Sequence, residues 1–405
     1  MSISLLVVMA AGITAVLVAA NTLSPILRLP TPTLQLLLGC VATNIVVMMG
    51  IDTGLRFDNF HDMVFYLFLP LLVFVAAWEI DLTSLRANLS QAASLALFGL
   101  LITTAIAATV IYFAINHPSG FPWAAALLTG ALLAATDPAA VTSQAWIHHV
   151  RPRLALLLEG ESLLNDATAV VLFTVILGLA LGNNFTSTSQ VFIQGAFIFA
   201  QELFGGAIIG LGVGWLATAV QKHLPQQTQP AGINTQVWFG LSVALFAYHG
   251  ALQLHVSGVI ACLVLGLMLG KSSHHEAHQQ QQWHFIGETT NGILFVLMGA
   301  TITFNMFSER WLAMLFAIGG VMLARFISVH TVLGLLGLKR TGRVEMADRN
   351  YAGLLGMRGA ITIALVLTLP TDLPYWWTIQ SIAYGVVLFD LVVVAPFIPW
   401  LLQRK

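Results

Sequence analysis

Apolar residues in this chain come in long runs separated by short polar stretches, and the run length is informative. A helix rises about 1.5 Å per residue, so roughly 20 apolar residues cross ~30 Å of hydrocarbon. Thirteen runs approach that length: 3–20, 31–50, 62–80, 91–115, 122–146, 154–181, 190–220, 235–252, 256–270, 284–304, 311–336, 351–369 and 376–402. The stretch 235–270 is too long for one crossing and divides at Gln253–His255. No basic residue precedes Arg28, so the first run reads as a retained helix and not a cleaved leader. The pattern predicts an all-α polytopic membrane protein of about 13 transmembrane helices.

Composition narrows the picture. Of 405 residues, 58% are hydrophobic and 8% are charged, against about 25% charged in an ordinary soluble domain. A water-facing surface cannot be built from so few charges. A net charge of −1 offers no basic field for nucleic acid. The apolar content excludes disorder. Cys40 and Cys262 both lie in apolar runs, which excludes a disulfide framework.

The charges are more useful by position than by number. With the N-terminus outside, twelve of the 16 Lys and Arg fall on the cytoplasmic side. Arg56 and Arg310 fall outside, and Arg325 and Arg358 lie within spans. Basic residues favour the cytoplasmic side, so this asymmetry supports the span count. It also places the C-terminus in the cytoplasm. The segment 271–284, KSSHHEAHQQQQWH, reads as a polar cytoplasmic loop. Its histidines, within 274–284, leave metal binding or pH sensing as the sharper alternative.

An ionisable group at the bilayer centre costs at least ~2.5–3.5 kcal/mol, so each one is a candidate for function. Asp137, Glu161, Asp166, Glu202, Arg325, Arg358 and Asp390 occupy such positions, whereas Glu79, Glu159 and Glu288 lie near cytoplasmic ends. Helical rise puts Asp137 ~15 Å and Asp166 ~18 Å from the cytoplasmic face, on adjacent antiparallel helices. Two carboxylates meeting at that depth would repel if both were charged. They can share a proton or hold a cation between them. Asp137 sits in ATDPAAV, where Pro138 lacks a backbone N–H and favours an unwound stretch. Freed carbonyls and the Thr136 hydroxyl then become hard oxygen ligands.

The next span carries EGESLLND. Ser162 and Asp166 share one face at i, i+4, and Glu161 and Asn165 share the adjoining face. Glu161 needs a cationic partner, and Arg325 and Arg358 both qualify. Glu202 reads as a protonated interhelical hydrogen-bond donor rather than a transport group. His249 and His330 read as hydrogen-bonded bundle residues. GGAIIGLGVG (205–214) predicts close helix packing or dimerisation. Spans 4–6 and 11–13 lie seven apart, an odd offset that reverses topology, so the triples form a candidate inverted repeat. Span 5 is interrupted at Asp137–Pro138, and span 12 at GMRGA (356–360), where two glycines flank Arg358.

ATDPAAV, EGESLLNDATAVVLF, ARFISVH and GMRGAITIALVLTLP together resemble the cation:proton antiporter superfamily. They are most similar to its electroneutral branch of NhaP-type bacterial antiporters and eukaryotic sodium/hydrogen exchangers. The resemblance implies an inverted-repeat fold with broken helices 5 and 12. It implies a core at about 91–181 and 311–402, and dimerisation helices at about 1–80 and 190–304. It further implies that Asp137, Asp166, Ser162 and Thr136 bind the ion or proton, with Asn165, Glu161, Arg325, Arg358 and Pro138 in support. Glu161 would pair with Arg325, and the Asn165–Asp166 sequence resembles the pair of the branch that exchanges one ion for one proton. In two places the chain departs from the family pattern. Val75, in LPLLVFV, stands where family members commonly carry a Glu, with Glu79 one turn nearer the cytoplasm. Asp390 stands in VVLFDLVVV where a small polar residue is usual. Asp390 reads as bonded to a neighbour, with proton carriage or altered stoichiometry as alternatives.

The expectation is therefore a secondary transporter and not an enzyme. It has no cofactor, no nucleic-acid partner and no cytoplasmic regulatory domain. It is a homodimer in the bilayer of a bacterial inner membrane. It exchanges Na⁺ for H⁺, with K⁺ or Li⁺ as alternative ions. A channel would show flux independent of the pH gradient. An intramembrane aspartyl protease would need GxGD and YD motifs, and neither Asp137 nor Asp166 lies in one.

Overall fold

A computed structural model describes residues 3–27, 29–50, 61–115, 120–137, 151–181, 188–224, 230–272, 277–337 and 344–398. Among them all regular structure is helical. In chain order the helices are α1 Ile3–Leu27, α2 Thr31–Met48, α3 His61–Glu79, α4 at 82–114, α5 Trp123–Ala134, α6 Pro152–Leu181 and α7 Thr188–Gln221. They continue with α8 Pro230–Gln253, α9 Gly258–Ser272, α10 Ala277–Thr301, α11 Phe304–Gly337, α12 Met346–Leu354, α13 Ala360–Leu367 and α14 Trp376–Ile398. Eight are long and apolar enough to span a membrane, and α5 and α9 are shorter apolar helices.

Helix falls within each of the thirteen predicted runs, and the division near 253–255 is a turn. His255 there adopts a positive φ of 55°, and the Ser257 N–H crosses to the Glu202 carbonyl on α7 at 3.3 Å. Several boundaries differ from the apolar runs. The fourth helix begins at Leu82 instead of 91 and the eleventh at Phe304 instead of 311. Polar residues with adequate helix propensity extend a helix beyond its apolar part. The same cause corrects the cytoplasmic loop reading. Residues 277–284 are the first turns of α10, and α9 continues to Ser272, because Ala and the Gln run are good helix formers. His274 and His275 lie outside the described residues.

The helices pack as two groups. In one, α4–α6 pack together and against α11–α14; in the other, α2 lies on α1 and α10, and α9 on α3, α7 and α8. The glycine run belongs to the second group. A Cβ at Gly206 or Gly210 would collide with the main chain of α9 at Ser257 and Ala261, and one at Gly214 with Met268. The close approach is therefore within the chain.

Three helices contain a π-turn: Val64–Phe68 in α3, Leu95–Gly99 in α4 and Asp390–Val394 in α14. In each, the second carbonyl accepts a hydroxyl from another helix. Tyr248 donates to Phe65 at 2.8 Å, Thr168 to Ala96 at 2.8 Å and Thr33 to Leu391 at 3.2 Å. Two of these have a covalent cause. The five-residue donor to Phe65 would be Pro70, and to Leu391 it would be Pro396, neither of which has an N–H. A buried carbonyl left over in this way needs a partner. Thr33 supplies one across the boundary between the two groups.

Candidate ion-binding site

Helix α5 ends at Ala134, and Ala135 turns to extended backbone with ψ 135°. The residue before a proline disfavours the helical region, and Asp137 is that residue. Pro138 itself, and any resumption of the helix, lie outside the described residues. The second interruption is fully described: α12 stops at Leu354, 355–359 are non-helical, and α13 starts at Ala360. The two breaks cross, and the Asp137 N–H donates to the Met357 carbonyl at 2.7 Å.

A helix C-terminus exposes carbonyls and carries partial negative charge. Here three successive carbonyls are each taken by a different donor. Thr362 Oγ1 donates to Leu132 at 3.1 Å, Arg358 Nε to Leu133 at 2.9 Å and Asn165 Nδ2 to Ala134 at 3.1 Å. Arg358 thus places its charge at the negative end of α5. Its Nη1 also donates to the Gly356 carbonyl at 2.6 Å.

The two glycines flanking Arg358 are required by what lies against them. A Cβ on Gly356 would come within 2.7 Å of Arg325 Nε, and a Cβ on Gly359 would overlap the Asp137 carboxylate. Gly359 is the N-cap of α13, so that carboxylate lies at the positive end of a helix. The GMRGA break therefore seats one member of the buried ion pair and one aspartate.

Glu161 and Arg325 form a bidentate pair at 2.9 and 2.8 Å, with the residues 1% and 2% exposed. This settles which of the two arginines meets Glu161. Asn165 Nδ2 also reaches Glu161 Oε1 and Thr136 Oγ1, each at 3.1 Å. The Thr136 hydroxyl in turn lies 3.3 and 3.4 Å from the Glu161 oxygens. That hydroxyl, expected among the ion ligands, is held within the supporting network. Asp390 accepts the Arg358 N–H at 2.9 Å and lies 3.7 Å from Arg358 Nη1, so it is bonded to a neighbour as read from the sequence.

Exposure separates the groups. Glu161, Ser162, Asn165, Arg325, Arg358 and Asp390 are buried, whereas Asp137 and Asp166 are half-buried. Asp166 lies within Coulombic reach of Asp137 and Glu161. The two aspartates thus lie within electrostatic reach of each other, with the Glu161–Arg325 and Asp390–Arg358 pairs around them.

The remaining candidates lie elsewhere. Val75 is buried against Gly287. Glu79 meets His284 at 3.5 Å, and His284 meets Glu288 at 3.3 Å, at the ends of α3 and α10. Glu202 is half-buried near His255. His330 bonds Phe326 O and Asn350 Oδ1, both at 2.9 Å, and His249 stacks on Tyr66. Thr362 escaped the sequence reading of the site, and Gly359 entered it only as part of the interruption. The signal available was the GMRGA motif itself.

Comparison with known proteins places the chain in a family. The chain is 32% identical over 353 residues to the Na⁺/H⁺ antiporter NhaP of Pseudomonas aeruginosa, covering 84% of this chain and 80% of that one. It is 30% identical over 364 residues to the Na⁺/H⁺ antiporter ApNhaP of Aphanothece halophytica, covering 87% and 67%. The sodium proton antiporter MjNhaP1 of Methanocaldococcus jannaschii has the same fold, with TM-score 0.79, 20% identity and 99% of both chains covered. The model of the transmembrane sodium/hydrogen exchanger family matches residues 12–404, and the chain belongs to that family of multi-pass membrane transporters.

Proposed function

We propose that the chain is a Na⁺/H⁺ antiporter that exchanges one ion for one proton by competition at Asp137 and Asp166. The observation that carries this reading is the pair of half-buried aspartates at the crossing of two helix ends, beside a closed Glu161–Arg325 pair. Either a proton or Na⁺ satisfies the mutual repulsion of the carboxylates. The empty, doubly charged site is too costly to cross the hydrocarbon, which couples the two fluxes. Ser162, one turn from Asp166, and the Thr136 main chain supply further oxygen. Asn165, Glu161, Arg325 and Arg358 hold the frame.

In the same reading the group α4–α6 with α11–α14 is the moving core. The group α1–α3 with α7–α10 is the stationary part, through which the protein forms a homodimer. The protein sits in a bacterial inner membrane with its N-terminus outside. The test is reconstitution into liposomes with an internal pH dye, adding Na⁺, Li⁺ and K⁺ in turn. Na⁺ is expected to drive proton movement, and Asp166→Asn to abolish it. If no cation moves protons, the antiporter reading fails. If Asp166→Asn keeps wild-type exchange, the site is wrong.

A further inference from the structure

Four anions and two cations meet at the crossing, and they do not cancel evenly. Glu161 and Arg325 close on each other through both guanidinium nitrogens. Arg358 directs Nε and Nη1 to neutral groups, the carbonyls of Leu133 and Gly356. Its counter-charge is Asp390, which holds the Arg358 N–H at 2.9 Å and stands 3.7 Å from Nη1. Both residues are 3% exposed, so little water screens the pair.

Among the described residues, the helices packed around Asp390 add no competing charge in contact. α2, α5 and α13 contain no charged side chain. α11 contributes Arg325, whose partner is Glu161, and His330, bonded to Asn350, with Glu309 and Arg310 far along the helix. α10, which meets α14 through Thr301 and Tyr384, carries His278, His284 and Glu288 toward its other end. Arg358 feels Asp390, Arg325 and Glu161; Asp166 feels Asp137 and Glu161. Without Asp390, an uncompensated guanidinium would stand one residue from Gly359, against which the Asp137 carboxylate lies.

We propose that Asp390 is a positioning residue for transport. By neutralising Arg358 it keeps the field at the Asp137–Asp166 site negative, and so sets the affinity for cation and proton together. The inference rests on the antiporter reading and deepens it. Removing the Asp390 charge makes the site more positive. Na⁺ then binds more weakly, and the carboxylates stay ionised to lower pH. Both changes share one cause, so they move together.

Asp390→Asn is nearly isosteric and retains an acceptor for the Arg358 N–H. In proteoliposomes its apparent KM for Na⁺, taken at the alkaline limit where protons no longer compete, is expected to rise roughly three- to thirtyfold. The half-maximal pH of exchange is expected to move by about 0.5–1.5 units toward acid. Asp390→Glu keeps the charge and is expected to retain wild-type KM and pH profile. Titration of the Na⁺-dependent melting temperature reads the affinity loss without transport.

A loss of turnover with unchanged KM and pH profile in Asp390→Asn overturns the proposal. So does an equal acid shift in Asp390→Glu. A wild-type protein that moves no protons with any cation instead overturns the antiporter reading.

Discussion

At the scale of single residues, the site depends on the absence of two Cβ atoms. Gly356 leaves room for Arg325, and Gly359 leaves room for the Asp137 carboxylate. Gly359→Ala is expected to displace Asp137 and cut Na⁺-driven exchange on the order of a hundredfold, as misplacing a reacting group by ~1 Å does in catalysis. The check is dye quenching in proteoliposomes together with a melting curve near that of the wild type. Gly356→Ala instead presses on Arg325, and overpacking of this kind costs about 1–3 kcal/mol. Breaking the Glu161–Arg325 pair is more severe. Arg325→Ala leaves a buried, unpaired carboxylate, which costs about 3–5 kcal/mol. Its melting temperature in detergent is expected to fall well below that of a double variant that replaces both residues with apolar ones. The residues themselves narrowed the partner of Glu161 to two arginines. Only the family resemblance chose between them, because the pair joins positions 164 apart and no local spacing links them.

Among elements, the π-turns and the helix ends show how backbone groups are satisfied where helical bonding stops. Pro396 removes the donor that Leu391 would use, and Thr33 replaces it from α2. Thr33→Val leaves that carbonyl buried and unpaired, a penalty of about 1–3 kcal/mol. Faster hydrogen–deuterium exchange across 391–398 by mass spectrometry is the expected result. Wild-type protection there would mean that water or another group takes the carbonyl. Pro70 and Pro396 in otherwise apolar runs were visible signals of disturbed helices, but their hydroxyl partners were not. Tyr248 lies 183 positions from Phe65, and Thr33 lies 358 from Leu391. The same distance problem hid the three caps on α5. The break at span 12 was legible because two glycines flank an arginine there, a combination unfavourable in a helix interior.

For the whole molecule, the apolar runs and the charge asymmetry lead to one topology. Lys222 is exposed just beyond α7, and Arg310 lies in the first turns of α11. In a background lacking Cys40 and Cys262, a membrane-impermeant maleimide added to intact cells is expected to label Arg310→Cys. It should label Lys222→Cys only after permeabilisation. The opposite pattern would invert the proposed orientation. The two packing groups share one apolar core, with α6 against α7 and α13 against α10, and are joined by polar bonds such as Thr33 to Leu391 and Thr301 to Tyr384 at 2.6 Å. The glycine run at 205–214 illustrates the limit of motif reading. Small residues signal close approach, but only packing reveals that Gly206, Gly210 and Gly214 face α9 and the residue before it.

The sequence by itself determined the membrane class, the placement of most spans, the end of α5 before Pro138, the break at 355–359 and which ionisable residues lie within apolar runs. Those properties are local: run length, a proline, two glycines, and the cost of an ionisable group in hydrocarbon. The pairing of Glu161 with Arg325, left open by the residues, was implied by the family resemblance. Only the tertiary structure decided that the Thr136 hydroxyl turns to the support network and that Asp390 answers Arg358. It also decided that three carbonyls ending α5 are capped from 31, 225 and 230 positions away. Such bonds depend on which helix ends meet at the crossing, and that is fixed by packing across the whole chain.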